Sequence, residues 1–114
     1  MSRSPITTHI LDTAKGLPAE NVPVKMYQLI GDQWLFITEG VTDNDGRIAN
    51  WLTPVNDISF GTYKLSFDLD AYFIGEEPPA FYPLAEICFR IQDTKHHHIP
   101  LLLSPFGYST YRGS

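Results

Sequence analysis

The histidines are the clearest candidates for chemistry near neutral pH, because the imidazole group titrates close to it. Three of the four are consecutive, His96, His97 and His98, and they open the apolar run Ile99–Leu103. Side chains alternate between the faces of a strand, so we expect His96 and His98 to point one way and His97 the other. The pattern fits solvated histidines at a strand end, and it fits equally well two members of a polar site.

His9 is the fourth histidine and falls in the middle of the first predicted strand. A single histidine in a strand is commonly a structural residue. Together with His96 and His98, however, it could supply the three nitrogen ligands of a zinc site. No carboxylate is clearly placed to orient such ligands, so the sequence favours a site without metal.

Arg47 follows the turn Asp43–Gly46, whose Asn, Asp and Gly residues tolerate left-handed backbone conformations. This predicts a hairpin turn. A calcium loop is excluded, because Val41 would occupy its first position, where an acidic ligand is required. An arginine at this place can simply pair with a surface carboxylate. The single cysteine, Cys88, lies in an apolar run and is predicted to be a small buried residue.

The elements that must position these residues are short strands between turn signals, the pattern of a β-sandwich or barrel. One short helix is predicted over Asp68–Gly75, ended by the prolines that follow. We therefore expect an all-β, two-sheet sandwich of about eight strands. The predicted strands are Thr7–Thr13, Val22–Ile30, Trp34–Val41, Arg47–Leu52, Gly61–Leu69, Ala85–Gln92, His96–Leu103 and Tyr108–Tyr111.

Length and composition restrict the class of protein. The 114 residues, of which 43% are apolar, are the size of one globular domain spanning 1–114. The net charge of −5 provides no basic patch for nucleic acid. No run approaches the roughly 20 apolar residues of a membrane span. The N-terminus lacks the apolar core of a signal peptide, so we expect a cytoplasmic protein, although the sequence leaves open that a leader has been removed.

Several of these segments together resemble the transthyretin-like family, and within it the 5-hydroxyisourate hydrolases. The resemblance runs along nearly the whole chain, and the C-terminal Tyr111–Ser114, YRGS, is the part that is typical of the hydrolases and not of the hormone carriers. His97 stands where many relatives have tyrosine. The segments concerned are His9–Thr13, Gly16–Ala19, Asn21–Val24, Asp45–Arg47, Tyr72–Phe73, Phe81–Pro83 and His96–Ser114.

The resemblance implies hydrolysis of 5-hydroxyisourate to 2-oxo-4-hydroxy-4-carboxy-5-ureidoimidazoline in urate (purine) catabolism, without metal or cofactor. It implies a homotetramer, a dimer of dimers, with a small purine-derived substrate bound at the dimer–dimer interface. Two alternatives stay open: a small-molecule carrier without catalysis and a zinc-dependent cyclic amide hydrolase. The implied catalytic residues are His9, Arg47, His98 and Ser114, and the implied substrate-binding residues are His9, Arg47, His96, Tyr111, Arg112 and Gly113.

Ring opening requires a water molecule to lose a proton while negative charge builds on a carbonyl oxygen. We expect His98 to take the proton and Arg47 to stabilise the oxygen, since guanidinium is planar and permanently charged. His9 would orient the substrate or donate a proton, and Tyr111 and Ser114 would line the pocket and fix His98. The sequence leaves open which histidine acts as base and which as acid.

Overall fold

Two β-sheets face each other and enclose the core of the protein. The structure, a computed structural model, describes residues 4–52 and 58–114. Within these residues no helix is long and apolar enough to cross a membrane. The elements are β1 (Ile6–Asp12), β2 (Leu17–Pro18), β3 (Pro23–Ile30), β4 (Gln33–Val41), β5 (Arg47–Ile48), β6 (Gly61–Asp68), α1 (Leu69–Tyr72), β7 (Leu84–Ile91), β8 (His97–Ser104) and β9 (Gly107–Thr110).

The first sheet has the strand order β2-β1-β8-β9, with β5 also paired to β1, and the second has the order β4-β3-β6-β7. Alternate residues of each strand point between the sheets, where burial of a large apolar side chain stabilises the fold by about 1.5–3 kcal/mol. This confirms the predicted two-sheet, all-β sandwich with one short helix. The largest fully buried apolar side chains are Tyr63, Phe67, Ile6, Ile10, Met26, Leu65, Leu69, Leu101, Leu103, Val22 and Val24.

The pairing of β1 with β8 is parallel and joins two distant parts of the chain. Thr7 lies opposite His98 in this register, and His9 lies opposite Pro100. On its other edge β1 pairs with β5, which places Arg47 directly opposite His9. Three of the residues with candidate chemistry, His9, Arg47 and His98, therefore meet on β1 and on two of the strands paired with it, β5 and β8.

The turn before Arg47 differs from the predicted hairpin, because it carries the chain from β4 in the second sheet to β5 in the first. The Asp43 carboxylate accepts hydrogen bonds from the backbone amides of Asp45, at 2.9 Å, and of Arg47, at 3.0 Å. Gly46 has φ +74°, and a Cβ there would lie 2.5 Å from the carbonyl oxygen of Ile10. Only glycine fits at this position, and it allows β5 to reach the edge of β1.

The fourth predicted strand, Arg47–Leu52, is shorter than expected and consists of Arg47–Ile48 alone. Beyond Ile48, the next backbone acceptor on this edge of β1 is the carbonyl oxygen of Ile6, and it has a side-chain partner. The carbonyl oxygen of Ile6 accepts a hydrogen bond from the indole N–H of Trp51 at 2.7 Å, in place of a backbone amide from this strand. This bond, together with the backbone hydrogen bond from the amide of Ser4 to the carbonyl oxygen of Ala49 at 3.0 Å, anchors the segment that follows β5.

The helix α1 is also shorter than the predicted Asp68–Gly75. Its N-cap is Asp68, whose carboxylate accepts from the amide of Ala71, and Gly75, with φ +75°, follows it. The Tyr72 hydroxyl donates to the buried carboxylate of Asp12 at 2.7 Å. Burial and this carboxylate raise the pKa of Tyr72, so the phenol remains a donor. This bond ties α1 to the end of β1.

The prediction that Cys88 is buried is wrong, because its side chain is exposed on β7. The alternation along this strand buries Ala85 and Ile91 and half-buries Ile87 and Phe89, which leaves Cys88 on the outer side. The run around Cys88 is apolar in sequence, but only every second residue of it faces the core.

Candidate active site

The three consecutive histidines divide between the two faces of the first sheet, as predicted from strand alternation. His97 is buried on the core side, and its Nδ1 lies 2.8 Å from the carbonyl oxygen of Lys95. His96 and His98 stand on the outer side with their ring planes 21° apart and their centroids 6.2 Å apart. This arrangement keeps His96 and His98 together and sets His97 apart from them.

Thr7 connects this pair and was not among the predicted site residues. Its hydroxyl oxygen lies 2.9 Å from Nε2 of His96 and 2.7 Å from Nδ1 of His98. Thr7 lies two residues before His9, so strand alternation places both side chains on the same face of β1. This spacing is the signal in the sequence that could have identified Thr7 as a site residue. The parallel pairing with β8, which brings Thr7 to His98, has no signal in the local sequence.

A cleft of about 220 Å³ brings together Arg47, His98 and Ser114, with Thr7 at its wall. These three residues come from β5, β8 and the C-terminal tail, and all three were predicted to be catalytic. The cleft therefore combines a permanent positive charge, an imidazole and the hydroxyl of Ser114 within one small volume. Such a set suits the binding and activation of a small, oxygen-rich molecule.

Gly113 holds the tail against His98. An antiparallel bridge joins the two residues, and the amide of Gly113 donates to the carbonyl oxygen of His98 at 2.9 Å. A Cβ at Gly113 would lie 2.5 Å from Cδ2 of His98 and 3.1 Å from Cγ of Pro100. The tail can approach the imidazole this closely only because residue 113 has no side chain.

Tyr111 and Arg112 lie at a different cleft, of about 310 Å³, between β7 and the pair β8 and β9. His98 borders this second cleft as well, together with the exposed Cys88. Tyr111 is 59% exposed in the single chain. The predicted site residues are thus split, with His98 shared between a cleft that contains Arg47 and Ser114 and a cleft that contains Tyr111 and Arg112.

His9 lies beside Arg47 on the adjacent strand. Burial lowers the pKa of His9, and the positive charge of Arg47 lowers it further. The hydrogen bond to the backbone of Asp45 and the charges of Asp43 and Asp45 oppose this shift without cancelling it. The His9 imidazole is therefore neutral at pH 7 and offers one donor and one acceptor nitrogen.

The amino-acid sequence of this chain is similar to those of known proteins along almost its whole length. A sequence profile described as the HIUase/Transthyretin family matches residues 6–113. The chain belongs to the HIUase/transthyretin family. The 5-hydroxyisourate hydrolase of Mus musculus is 46% identical over 97% of this chain and 96% of its own length. That of Deinococcus radiodurans is 42% identical over 96% of this chain and 95% of its own length.

Solved structures of both branches of the HIUase/transthyretin family resemble this chain. Sea bream transthyretin in complex with thyroxine superposes with a TM-score of 0.88 at 36% identity, covering 96% of this chain and 95% of its own. The 5-hydroxyisourate hydrolase of Klebsiella pneumoniae superposes with a TM-score of 0.82 at 36% identity, covering 99% and 100%. The fold therefore does not separate a hydrolase from a carrier, and the distinction rests on the residues at the cleft.

The zinc alternative requires three ligands that converge on one point. Within residues 4–52 and 58–114, no group of three or more His, Cys, Asp or Glu side chains is placed to hold a metal ion. His96 and His98 approach the hydroxyl of Thr7, while His9 lies beside Arg47. The alternation that aligns His96 and His98 at the start of β8 does not bring His9 into coordination range of the same point.

Proposed function

We propose that this protein hydrolyses the ring of 5-hydroxyisourate to give 2-oxo-4-hydroxy-4-carboxy-5-ureidoimidazoline, a step of urate degradation. The observation that carries the proposal is the cleft in which Arg47, His98 and Ser114 meet, with His9 at the neighbouring position. The similarity to hydrolases of Mus musculus and Deinococcus radiodurans along almost the entire chain supports it. A carrier would have no need of two histidines and an arginine beside one another.

In the proposed reaction, water adds to a ring carbonyl carbon and the adjacent carbon–nitrogen bond breaks. His98 takes a proton from the attacking water, and the resulting imidazolium later returns it to the departing nitrogen. Arg47 donates hydrogen bonds to the carbonyl oxygen as negative charge develops there, and its planar guanidinium can hold the flat substrate at two points. His9, neutral at pH 7, orients the substrate through hydrogen bonds.

The tail completes the proposed site. Ser114 lines the cleft with a polar group, and Gly113, which has no side chain, allows the tail to lie close against the ring of His98. Tyr111 and Arg112 contribute to substrate binding from the second cleft that His98 borders. His96 acts through the hydroxyl of Thr7, which it shares with His98.

We further propose that the protein is a homotetramer, a dimer of dimers, with the substrate bound where the dimers meet. The outer side of the first sheet supports this, because it continues past the polar cleft with the half-buried apolar side chains of Leu11 and Leu102. A second copy laid over this face would cover these side chains and close the cleft from water. Analytical ultracentrifugation tests this proposal, and a stable monomer at micromolar concentration contradicts it.

The decisive experiment for the function is the loss of absorbance of freshly prepared 5-hydroxyisourate. We expect rapid decay with the wild-type protein, and about a hundredfold or greater loss of rate in His98→Asn, typical of removing a general base. His97→Asn is the matched control, since His97 is the adjacent histidine on the opposite face. It should lower stability and keep the rate.

Two results would contradict the proposed function. Binding of small aromatic ligands with no acceleration of decay would favour the carrier. Activity that disappears on chelation and returns with zinc would favour a zinc-dependent hydrolase.

A further inference from the structure

The hydroxyl of Thr7 lies between two imidazole nitrogens, Nε2 of His96 at 2.9 Å and Nδ1 of His98 at 2.7 Å. Thr7 itself is only 5% exposed, and its position is fixed by the pairing of β1 with β8. As a β-branched residue in a strand, threonine has few side-chain rotamers available. The hydroxyl is therefore held rigidly between the two rings.

The hydroxyl of Thr7 has a single proton, and this restricts which ring nitrogens of His96 and His98 can be protonated. A hydroxyl donates one hydrogen bond and accepts up to two, so it can donate to only one of the two ring nitrogens. The other nitrogen must carry its own proton and donate to the oxygen. The direction of the bond to His98 therefore decides which of its nitrogens is protonated.

The proposed function requires one direction of the hydrogen bond between His98 and Thr7, with Nδ1 of His98 as the donor. Nδ1 of His98 is turned toward Thr7, so a proton taken from a water molecule in the cleft must go to Nε2. Nε2 can accept it only if the neutral ring already carries its proton on Nδ1. In the opposite direction the hydroxyl donates to Nδ1, and the proton on Nε2 prevents His98 from acting as a base.

We infer that Thr7 is a positioning residue that keeps His98 in the tautomer with the proton on Nδ1, an inference that rests on the proposed function of His98 as the base. His98 donates from Nδ1 to the hydroxyl of Thr7, and Thr7 donates in turn to Nε2 of His96. The first of these bonds is kept when His98 gains its second proton, because Nδ1 is a donor in both states. Thr7 needs no rearrangement during the reaction.

Two substitutions separate the hydroxyl from the shape of the side chain. Thr7→Val keeps the branched shape and removes the hydroxyl, whereas Thr7→Ser keeps the hydroxyl and removes a methyl group. Thr42→Val is the matched control outside the site. The Thr42 hydroxyl is also buried, donating to the carbonyl oxygen of Ala19 at 2.7 Å and accepting from the amide of Val22 at 2.9 Å.

Two measurements are made on the purified full chain and its variants. The first is kcat and KM for 5-hydroxyisourate. General acid–base catalysis contributes about 10²–10⁴-fold, so loss of the correct tautomer in part of the molecules should lower kcat about tenfold or more in Thr7→Val. KM should stay within about twofold, and Thr7→Ser should retain most of kcat. Thr42→Val should lose stability and keep kcat.

The second measurement is the ¹⁵N chemical shifts of the histidine rings, which report the tautomer without any substrate. We expect His98 of the wild-type protein to carry its proton on Nδ1, and this preference to weaken in Thr7→Val and return in Thr7→Ser. The spectrum of Thr42→Val should match the wild type. This readout depends on the hydrogen bond of Thr7 and not on hydrolysis.

Three results would overturn the inference. They are a wild-type His98 protonated on Nε2, an unchanged kcat in a folded Thr7→Val, and an equal loss of kcat in Thr7→Ser and Thr7→Val. The first needs no variant and stands even if Thr7→Val fails to fold. Failure of the proposed function is distinguishable, because it appears as a wild-type protein that does not accelerate decay of 5-hydroxyisourate, whatever the tautomer of His98.

Discussion

The substitution Gly113→Ala tests the contact between the tail and the candidate base. The added Cβ would lie 2.5 Å from Cδ2 of His98, whereas ordinary contacts begin at 3.4 Å, so the tail or the ring must move by about 1 Å. Either movement changes the geometry of the cleft, because His98 and Ser114 both line it. A displacement of about 1 Å in a catalytic group can cost about a hundredfold in rate.

The expected result is therefore a fall of about a hundredfold in kcat/KM with little change in stability. The bridge contributes one backbone hydrogen bond to His98, about 1 kcal/mol of the free energy of unfolding. Initial rates with 5-hydroxyisourate and urea unfolding curves measure the two quantities. Gly107→Ala is the matched control, since its Cβ would meet nothing closer than Oγ of Ser104 at 4.0 Å.

A rate within about threefold of wild type in a folded Gly113→Ala would refute this reasoning, because the tail would then be free to move without affecting His98. An equal loss in Gly107→Ala would also refute it. The effect would in that case follow from any alanine in this part of the chain and not from the contact with the ring.

Three further predictions concern other parts of the site and fold. In Arg47→Gln the pKa of His9 should rise, because a positive charge that lowers it is lost, and NMR titration should show no comparable rise in Arg47→Lys. Arg47→Lys should nevertheless lose much of the activity, since lysine cannot make the planar two-point contact. Deleting Arg112–Ser114, or adding a C-terminal tag, should impair turnover while circular dichroism shows an intact β fold; full activity would contradict our placement of the tail. Tyr72→Phe should lower the free energy of unfolding by about 1.5–3 kcal/mol in urea titrations without lowering kcat, because Asp12 loses a hydrogen bond to its buried carboxylate.

Strand alternation was sufficient to predict the faces of the histidines. His96 and His98 share one face and His97 takes the other, because this relation depends only on the geometry of one strand. The same alternation leaves Cys88 exposed on β7, although its apolar neighbours in sequence predict burial. The hydrolase function and the importance of Tyr111–Ser114 came from the family resemblance, since neither periodicity nor composition contains that information.

The partners of β1 could not be predicted from the residues alone. Thr7 meets His98 through a parallel pairing, and Arg47 meets His9 because the turn at Gly46 crosses between sheets. Both relations join segments that are distant in sequence, where local propensity has no influence. The shared hydroxyl of Thr7 is a consequence of the first relation and was missed for that reason.

The pairing of β1 with β8 also has a consequence for how the chain folds. Thr7 and His98 are 91 positions apart, so the central pair of the first sheet cannot form until nearly the whole chain is available. Proteins dominated by such long-range contacts fold slowly, in milliseconds to seconds. The entropic cost of closing a large loop arises before the contacts that offset it have formed. No early, partly folded species can contain the assembled cleft. Recovery of hydrolase activity during refolding should therefore lag behind the formation of the β3–β4 hairpin, which is joined by a short turn, and report the closure of the first sheet.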